Sequence, residues 1–419
     1  MQFLLGVLGY IVFICVGCFC MKIAKDLFNT YLNITSILIL PFLLVCSFQL
    51  LTTFFYESLI IPGFEYWSII TVFFVATLLV ETIFHIIFKI DVGYIPLFNG
   101  GFETNRNFMF FVLVYLIYML YDTYHQVANV DMSMLLQDDF SEEYGGSGGF
   151  ISRLFLMICA AYFFGCNNTK AGFLLGVICL IPSVVINTKG VILIPVIASF
   201  FVKEYYGRLV NLKKTLLIVG IVGISIFIGS YMWEFFTVGG NPFADSEKWK
   251  LVFDKLVSYV ISGVQGFCIN LQNPGEYSFD DLPNITMTPI NNFLSKFGVG
   301  SYISSVNPVE RTMGLASSDD PITNVNSHIG TLYLFNGLFI GLLIHSFWIM
   351  VTLLIKKICQ KTGSVFFVLL YSLFLAGFAF GWFELYFMHT FWFYLIIITV
   401  LLYIVFNCHL FDTDGLFKV

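Results

Sequence analysis

Residues 66–88 read YWSIITVFFVATLLVETIFHIIF, an apolar stretch with one acidic residue, Glu81, and no lysine or arginine. A helix needs about 20 mainly apolar residues to cross a hydrocarbon core about 30 Å thick. The stretch therefore predicts a transmembrane helix. Glu81 and His85 are spaced four residues apart on one face of that helix, which indicates a structural polar pair or a proton-linked site inside the membrane, and we favour the structural pair.

Similar apolar stretches recur along the whole chain of 419 residues, of which 58% are hydrophobic and 11% charged. A soluble domain carries about 25% charged residues, so a soluble globular protein is excluded. A membrane β-barrel would show alternating segments of about ten residues instead. We expect an all-α, polytopic integral membrane protein with about eleven transmembrane helices. They are predicted near residues 3–20, 31–51, 66–88, 108–121, 151–165, 171–187, 190–202, 215–233, 329–355, 364–380 and 387–407.

The distribution of lysine and arginine predicts the topology, because cytoplasmic connections carry an excess of both. Most basic residues fall in alternate connections, which places those connections in the cytoplasm. They are Lys22, Lys25, Lys89, Arg106, Lys170, Lys203, Arg208, Lys213, Lys214, Lys356, Lys357, Lys361 and Lys418. The N-terminus is then expected outside and the C-terminus inside.

One long polar stretch, residues 234–328, interrupts the apolar segments on the predicted outer side. It divides the chain into N-terminal transmembrane helices (1–233), a large extracytoplasmic loop (234–328) and C-terminal transmembrane helices (329–419). Residues 248–267 have the periodicity of an amphipathic helix, which predicts a helix lying at the interface with Trp249 at headgroup depth. A second short helix is expected to begin at Thr288.

Three basic residues on the predicted outer side are candidate ligands for an anion such as pyrophosphate. Lys189 lies in a very short turn between two apolar segments, Arg153 begins a span, and Arg311 lies in the long loop. A cation held outside runs against the charge rule and therefore needs a partner. The alternatives are a lipid headgroup contact, a salt bridge to an acidic loop or, for Arg311, a surface ion pair.

Polar residues also gather where the long loop enters the next helix. The segment Thr323-Asn324-Val325-Asn326-Ser327-His328 precedes the span, and Glu384 flanks the last outer connection. His328 is a candidate general base, because imidazole titrates near neutral pH. Asn324, Asn326 and Glu384 are candidate sugar ligands. The alternative is that Asn326 or Ser327 merely caps the helix.

Three local patterns, together with this architecture, resemble the Wzy-type polymerases of O-antigen, capsule and exopolysaccharide repeat units. The patterns are Lys189-Gly190 in an outer turn, Tyr259-Val260-Ile261-Ser262-Gly263 in the outer helix, and Thr323-Asn324 running into a helix with Gly337 and Gly341. In related ligases histidine stands directly before asparagine at this helix entrance, whereas here the order is Asn326-Ser327-His328.

The resemblance implies a glycosyltransferase in the bacterial cytoplasmic (inner) membrane that polymerises oligosaccharides linked to undecaprenyl pyrophosphate. It implies Lys189 and Arg311 as pyrophosphate ligands and His328 as base or ligand near the acceptor hydroxyl. It requires no metal and no cofactor. The expected partners are lipid-linked oligosaccharides, membrane lipids and a chain-length regulator protein, with no nucleic acid.

Two other functions remain open at this point. A lipid-linked oligosaccharide flippase or another polytopic transporter would have a similar composition, although paired halves and the absence of a long outer loop are more usual there. A transferase of the O-antigen ligase type would use a lipid A core as its acceptor instead of a second repeat unit.

Overall fold

The computed structural model describes residues 2–56, 59–90, 106–128, 147–166, 170–185, 189–206, 246–272, 286, 288–300, 311–312, 322–323 and 325–407. In these residues the fold is helical, with one short ribbon. The helices are α1 (Gln2–Phe28), α2 (Ile34–Thr52), α3 (Phe64–Phe88), α4 (Arg106–Val127), α5 (Ser147–Cys166), α6 (Lys170–Val185), α7 (Lys189–Tyr205), α8 (Ser246–Gln272), α9 (Thr288–Ser295), α10 (His328–Thr362), α11 (Val365–Ala379) and α12 (Phe391–Asn407). The antiparallel ribbon pairs β1 (Arg311–Thr312) with β2 (Ile322–Thr323), and Tyr386–Met388 form a 3₁₀ turn.

Within the described residues, five helices are long and apolar enough to cross a membrane: α1, α2, α3, α4 and α10. Shorter apolar helices accompany them at Ile151–Cys166, Lys170–Ser183, Val365–Ala379 and Phe391–Phe406. The apolar helices indicate a membrane protein. The span predicted at 215–233 lies outside the described residues, so the total of about eleven spans stays a prediction.

The chain divides into two compact units, each assembled from separate parts of the sequence. The first unit comprises Met1–Tyr94, Pro242–Leu354 and Gly377–Thr390. The second unit comprises Ile95–Asn241, Ile355–Ala376 and Phe391–Val419. The segment 242–328 therefore belongs to the same unit as α1, α2 and α3. The predicted boundaries at residues 233 and 328 separate transmembrane helices from an extracytoplasmic loop, and this division stays a prediction.

Glu81 joins α3 to the first turn of α2. Its two carboxylate oxygens accept hydrogen bonds from the backbone N–H groups of Ile34 and Thr35 at 2.9 and 2.8 Å, and from the Thr35 hydroxyl at 2.7 Å. These are N–H groups that a helix cannot satisfy by itself, and the positive end of the helix dipole favours an anion there. The carboxylate of Glu81, which is 1% exposed, therefore has hydrogen-bond donors for both of its oxygens. His85 bonds to the carbonyl oxygen of Glu81 at 3.0 Å.

Helix α8 contains the predicted 248–267 helix, but its polar residues face the protein. Asp254, Ser258 and Ser262 are buried, while Trp249 and Phe253 are 41% and 57% exposed. Tyr56 donates a hydrogen bond of 2.5 Å to the carboxylate of Asp254. Ile261 and Val264 of the same helix are also fully buried, so paired polar groups and apolar side chains of α8 both pack inside the protein. Helix α9 begins at Thr288, as predicted.

Helix α10 reverses direction at Gly337, where the backbone has φ 67° and ψ 178°. We call residues 328–336 the first arm and residues 338–362 the second arm. A Cβ added at Gly341 would lie 2.8 Å from the carbonyl oxygen of Leu332, so the two arms run side by side. The first arm is about 13 Å long and cannot cross a bilayer, whereas the second arm, about 37 Å long, can.

The reversal generates a prediction about Gly337, because its backbone conformation is essentially restricted to glycine. We expect Gly337→Ala to destabilise the protein by about 1–3 kcal/mol, the cost of strain of this kind. The measurement is the midpoint of thermal unfolding in detergent.

Gly63→Ala is the matched control for this substitution. A Cβ at either glycine meets nothing within 4 Å, but Gly63 has an ordinary φ of −84°. The two substitutions therefore differ in backbone strain and not in steric contact. Equal effects of the two substitutions would contradict the reversal at Gly337.

Candidate functional site

His328 is placed by hydrogen bonds from the backbone to two other segments of the first unit. Its own N–H donates to the carbonyl oxygen of Gly381 at 2.6 Å, and the N–H of Ser327 donates to that of Gly263 at 2.7 Å. A Cβ on Gly263 would collide with the backbone of Phe383. The glycine singled out in the Tyr259–Gly263 pattern thus lets α8 touch both the entrance of α10 and the 380–383 turn.

The side chain of His328 begins a chain of hydrogen bonds that leads to α3. Its Nε2 lies 2.9 Å from Nδ1 of His345. Nε2 of His345 lies 2.8 Å from Oγ1 of Thr77, and the Thr77 hydroxyl lies 2.6 Å from the carbonyl oxygen of Phe73. His328, His345 and Thr77 are all 0% exposed. We call these three residues the histidine relay.

The reversal of α10 is what brings the two histidines together. They are 17 residues apart, which in a continuous helix would separate them by about 25 Å. The antiparallel arms place them side by side, with ring centroids 5.0 Å apart. The relay therefore joins His328, the first residue of α10, to Thr77 near the middle of α3.

One nitrogen of the histidine relay has no partner. Nδ1 of His328 is buried and makes no hydrogen bond within the part of the chain that the structure describes. The ring packs against Phe378 and Phe387, with centroids at 5.9 and 6.0 Å. A buried nitrogen without a partner costs free energy unless a ligand or a proton uses it. This nitrogen is the strongest chemical signal in the first unit.

The residues before His328 serve both structure and the site. The Ser327 hydroxyl accepts a hydrogen bond of 3.1 Å from the N–H of Gly330, so Ser327 caps α10. The Asn326 side chain accepts a bond of 2.8 Å from the side-chain amide of Asn270 on α8. The Asn326 side chain is therefore bound to α8, and its role as a sugar ligand stays a prediction. Asn324 lies outside the described residues.

Glu384 and His389 form an ion pair in the connection that also carries Gly381. The carboxylate oxygen of Glu384 lies 2.9 Å from Nε2 of His389, which is 33% exposed. Burial alone would lower the pKa of His389, but the charge of Glu384 and the hydrogen bond to it raise that pKa above its ordinary value of 6.5. Next to this pair, Asn292 of α9 donates a bond of 3.3 Å to Thr390.

The structure describes only part of the three basic residues that were predicted as anion ligands. Arg311 pairs in register with Thr323, so the ribbon sets its backbone beside the segment that leads to His328. Lys189 begins α7 in the second unit. The side chains of Arg311 and Lys189 lie outside the described part of the structure. Arg153 is buried on α5, also in the second unit. A shared anion site of these three residues stays a prediction.

Two further features of the first unit bear on ligands. A cavity of about 820 Å³ lies among the start of α1, the end of α2, residues 60–67 and the end of α8. Its lining is mainly apolar, with Tyr10, Glu65, Tyr66 and Gln272 as polar members. Across the described residues, no group of three or more histidine, cysteine, aspartate or glutamate side chains could hold a metal ion.

Sequence reasoning missed the partners of His328. His345 is most simply interpreted from sequence as a satisfied core histidine, and both of its ring nitrogens do have partners. Its partner His328, however, makes it part of the site. The available signal was the pair Gly337 and Gly341 between the two histidines, since glycines at this spacing permit a reversal with close contact. Thr77 carried no signal, because threonine in an apolar helix usually bonds to its own backbone.

Comparison with known proteins places the chain in a family without assigning a function. The chain belongs to the family of unknown function DUF6337, whose sequence model matches residues 50–411. No curated protein matches the chain. No solved structure matches it.

The Glu384–His389 pair generates a prediction about pH. Because its pKa is raised in the folded protein, His389 contributes stability that is fully present below pH 6.5 and is lost as the pH rises through the folded-state pKa. We expect Glu384→Gln to lower the unfolding midpoint more at about pH 6 than at about pH 9.

His389→Gln provides the control for this experiment. In the His389→Gln background, the additional Glu384→Gln substitution should have the same effect at both pH values. A wild-type difference that grows with rising pH would contradict the assignment of the pair.

Proposed function

We propose that this member of DUF6337 is a membrane glycosyltransferase that polymerises oligosaccharide repeat units carried on undecaprenyl pyrophosphate. The products would be O-antigen, capsule or exopolysaccharide chains, as in the Wzy-type polymerases that the sequence resembles. The observation that carries the proposal is the unpartnered Nδ1 of the buried His328. A neutral imidazole nitrogen in a dry site is suited to accept a proton from a sugar hydroxyl.

The proposed topology sets the reaction at the outer face of the bacterial cytoplasmic membrane. About eleven spans, an outer N-terminus and an inner C-terminus follow from the charge pattern. Residues 234–328 then form the large extracytoplasmic loop. In this arrangement the first arm of α10 dips from the outer side into the membrane protein and returns, and only its second arm crosses.

The proposed chemistry is a displacement at the anomeric carbon of the donor sugar. His328 accepts the proton of the acceptor hydroxyl while the oxygen of that hydroxyl forms a bond to the anomeric carbon. The bond from the carbon to pyrophosphate breaks, and undecaprenyl pyrophosphate leaves with the electron pair. Lys189, Arg311 and Arg153 would stabilise the developing negative charge, as fixed cations do in poorly hydrated sites. Asn324, Asn326 and Glu384 would bind the sugars.

Access to His328 requires movement, because its side chain is 0% exposed. The backbone beside it is held by bonds from the N–H of Ser327 to Gly263 and from the N–H of His328 to Gly381. Opening a path to Nδ1 would require these backbone bonds to break, together with the bond between the Asn326 and Asn270 side chains. A closed site of this kind keeps water away from a sugar that would otherwise be hydrolysed.

The cavity in the first unit suits the lipid part of such a substrate. Its volume of about 820 Å³ is in the range of small-molecule sites, and apolar lining favours a hydrocarbon chain. Glu65, which lines it, lies near Tyr333 on the first arm of α10. The cavity is therefore linked to the helix that carries His328. We expect it to hold part of an isoprenoid chain.

A second candidate function is transport, and the reversal of α10 favours it. Discontinuous helices with polar groups near the middle of the membrane are typical of ion-coupled carriers and related transporters. A transporter with the same substrate as the proposed polymerase would be a flippase for lipid-linked oligosaccharides. A transferase of the ligase type is a further alternative that differs only in its acceptor.

The first functional prediction concerns His328. We expect purified protein in lipid nanodiscs to extend a lipid-linked repeat unit into a ladder of glycans. His328→Ala should lower the rate by roughly 10²–10⁴-fold, the usual contribution of a general base. His125→Ala, a substitution of an exposed histidine on α4, is the control and should leave the ladder unchanged. Movement of the lipid across a liposome bilayer without chain growth would favour transport and refute the polymerase.

The second functional prediction concerns Lys189. We expect Lys189→Ala to abolish long glycan chains without lowering protein abundance, since removing one charge-stabilising contact costs about 10²–10³ in rate. Lys189→Arg should retain activity because it keeps the positive charge. Lys170→Ala, at the first residue of α6, is the matched control. A normal ladder from Lys189→Ala would exclude Lys189 from the site.

A further inference from the structure

The histidine relay has only one hydrogen-bond direction that leaves no buried N–H without an acceptor. The Phe73 carbonyl can only accept, so the Thr77 hydroxyl, 2.6 Å away, donates its single proton there. The Thr77 oxygen must then accept from Nε2–H of His345. In a neutral ring, Nδ1 of His345 is consequently unprotonated and accepts from Nε2–H of His328.

The opposite direction is less favourable for two reasons. Thr77 would have to donate to His345 and give up its bond to the Phe73 carbonyl. His328 would then carry its proton on Nδ1, where the described residues offer no acceptor. A buried N–H without an acceptor loses its hydration with no compensation, and such groups are rare in proteins.

We infer that Thr77 and His345 are positioning residues that hold His328 in its Nε2-protonated tautomer, with the Nδ1 lone pair ready to accept a proton. This inference deepens the proposed function, on which its catalytic meaning rests. The tautomer itself follows from hydrogen-bond geometry and is measurable without any substrate.

The relay also fixes where a proton can be added. Protonation of His328 at Nδ1 keeps every bond of the relay, because Nε2 continues to donate to His345. Protonation of His345 at Nδ1 would make that nitrogen a donor facing the Nε2–H of His328. Two donors cannot form a hydrogen bond, so the bond between the rings would break. One proton can therefore enter the relay without loss of a hydrogen bond, and it enters at the nitrogen assigned to the acceptor hydroxyl.

The orientation of the ring is set by the same contacts. Backbone bonds at Ser327 and His328 fix the start of the first arm, and the bond to His345 fixes the ring. His345 is in turn anchored to α3 through Thr77. A base whose second nitrogen is held by a partner keeps one tautomer and one direction, the arrangement that a partner group provides for catalytic and metal-binding histidines.

The test is nitrogen NMR of protein labelled with ¹⁵N in its histidine rings, in lipid bilayers at neutral pH. The His328 signals are assigned by their loss in His328→Gln. We expect Nδ1 of His328 in the unprotonated range and Nε2 in the protonated range. A His328 ring protonated at Nδ1 would overturn the inference, and the tautomer itself is determined from the spectrum of the wild-type chain.

Variants of Thr77 test whether its hydroxyl oxygen determines the tautomer of His328. Thr77→Val removes the oxygen at nearly constant shape and should shift part of the His328 population to the Nδ1-protonated tautomer, while Thr77→Ser should restore the wild-type spectrum. Thr352→Val is the matched control. The Thr352 hydroxyl is equally buried and bonds to the carbonyl oxygen of Trp348 in its own helix. An unchanged spectrum in Thr77→Val would overturn the role of Thr77.

The outcomes separate the inference from the proposed function. If the tautomer is as expected and no lipid-linked glycan is extended, the polymerase proposal fails and the positioning role stands. If glycans are extended, we expect Thr77→Val to slow extension by about tenfold or more, a part of what a general base contributes. Extension at the wild-type rate in Thr77→Val would overturn the positioning role and leave the polymerase intact.

Discussion

The reversal of α10 at Gly337 is the constraint on which the candidate site depends. A backbone with φ 67° and ψ 178° turns the chain back on itself, and the absence of a side chain at Gly341 lets the second arm lie against Leu332. The contacts between residues 332 and 341 and between residues 328 and 345 belong to one antiparallel register. Without this register, His328 would lie at a helix end, far from His345 and from α3.

A second physical rule explains the surroundings of that site, namely that polar groups away from water must find partners within the protein. Glu81 meets it by capping α2. Gln49 meets it by donating a bond of 2.6 Å to Gln265 on α8. The polar stripe of α8 meets it by facing inward. A few buried polar atoms of the described residues lack a hydrogen-bond partner, among them Oγ of Ser36, Nε2 of Gln265 and Nδ1 of His328. Nδ1 of His328 differs from the other two because an imidazole nitrogen can take up a proton.

Much of the fold was predictable from hydropathy, whereas the partners of His328 were not. The spans at 31–51 and 66–88 agree closely with α2 and α3, because their length and apolar composition are local properties. The helix at 248–267 was predicted from its periodicity, but the burial of Asp254, Ser258 and Ser262 was not, since periodicity locates a stripe without saying what covers it. Asn326 and His328 were found through their residue types and their place before an apolar helix.

The partners of His328 depend on contacts between residues distant in sequence, which periodicity does not encode. Gly337 and Gly341 were noticed as part of a resemblance, yet the reversal follows only from a positive φ at one of them. His345 and Thr77 are ordinary residues of apolar helices until the register of the two arms is known. The cations Lys189 and Arg311, in contrast, rest on charge placement and resemblance alone.

The most direct test of this account is a ¹⁵N–¹⁵N correlation across the hydrogen bond between the two histidine rings, in ring-labelled protein in lipid bilayers. The structure sets Nε2 of His328 and Nδ1 of His345 at 2.9 Å, and the account predicts a cross-peak between them. If both rings are resolved and no cross-peak links them, as in a continuous α10 with the rings about 25 Å apart, the account is contradicted.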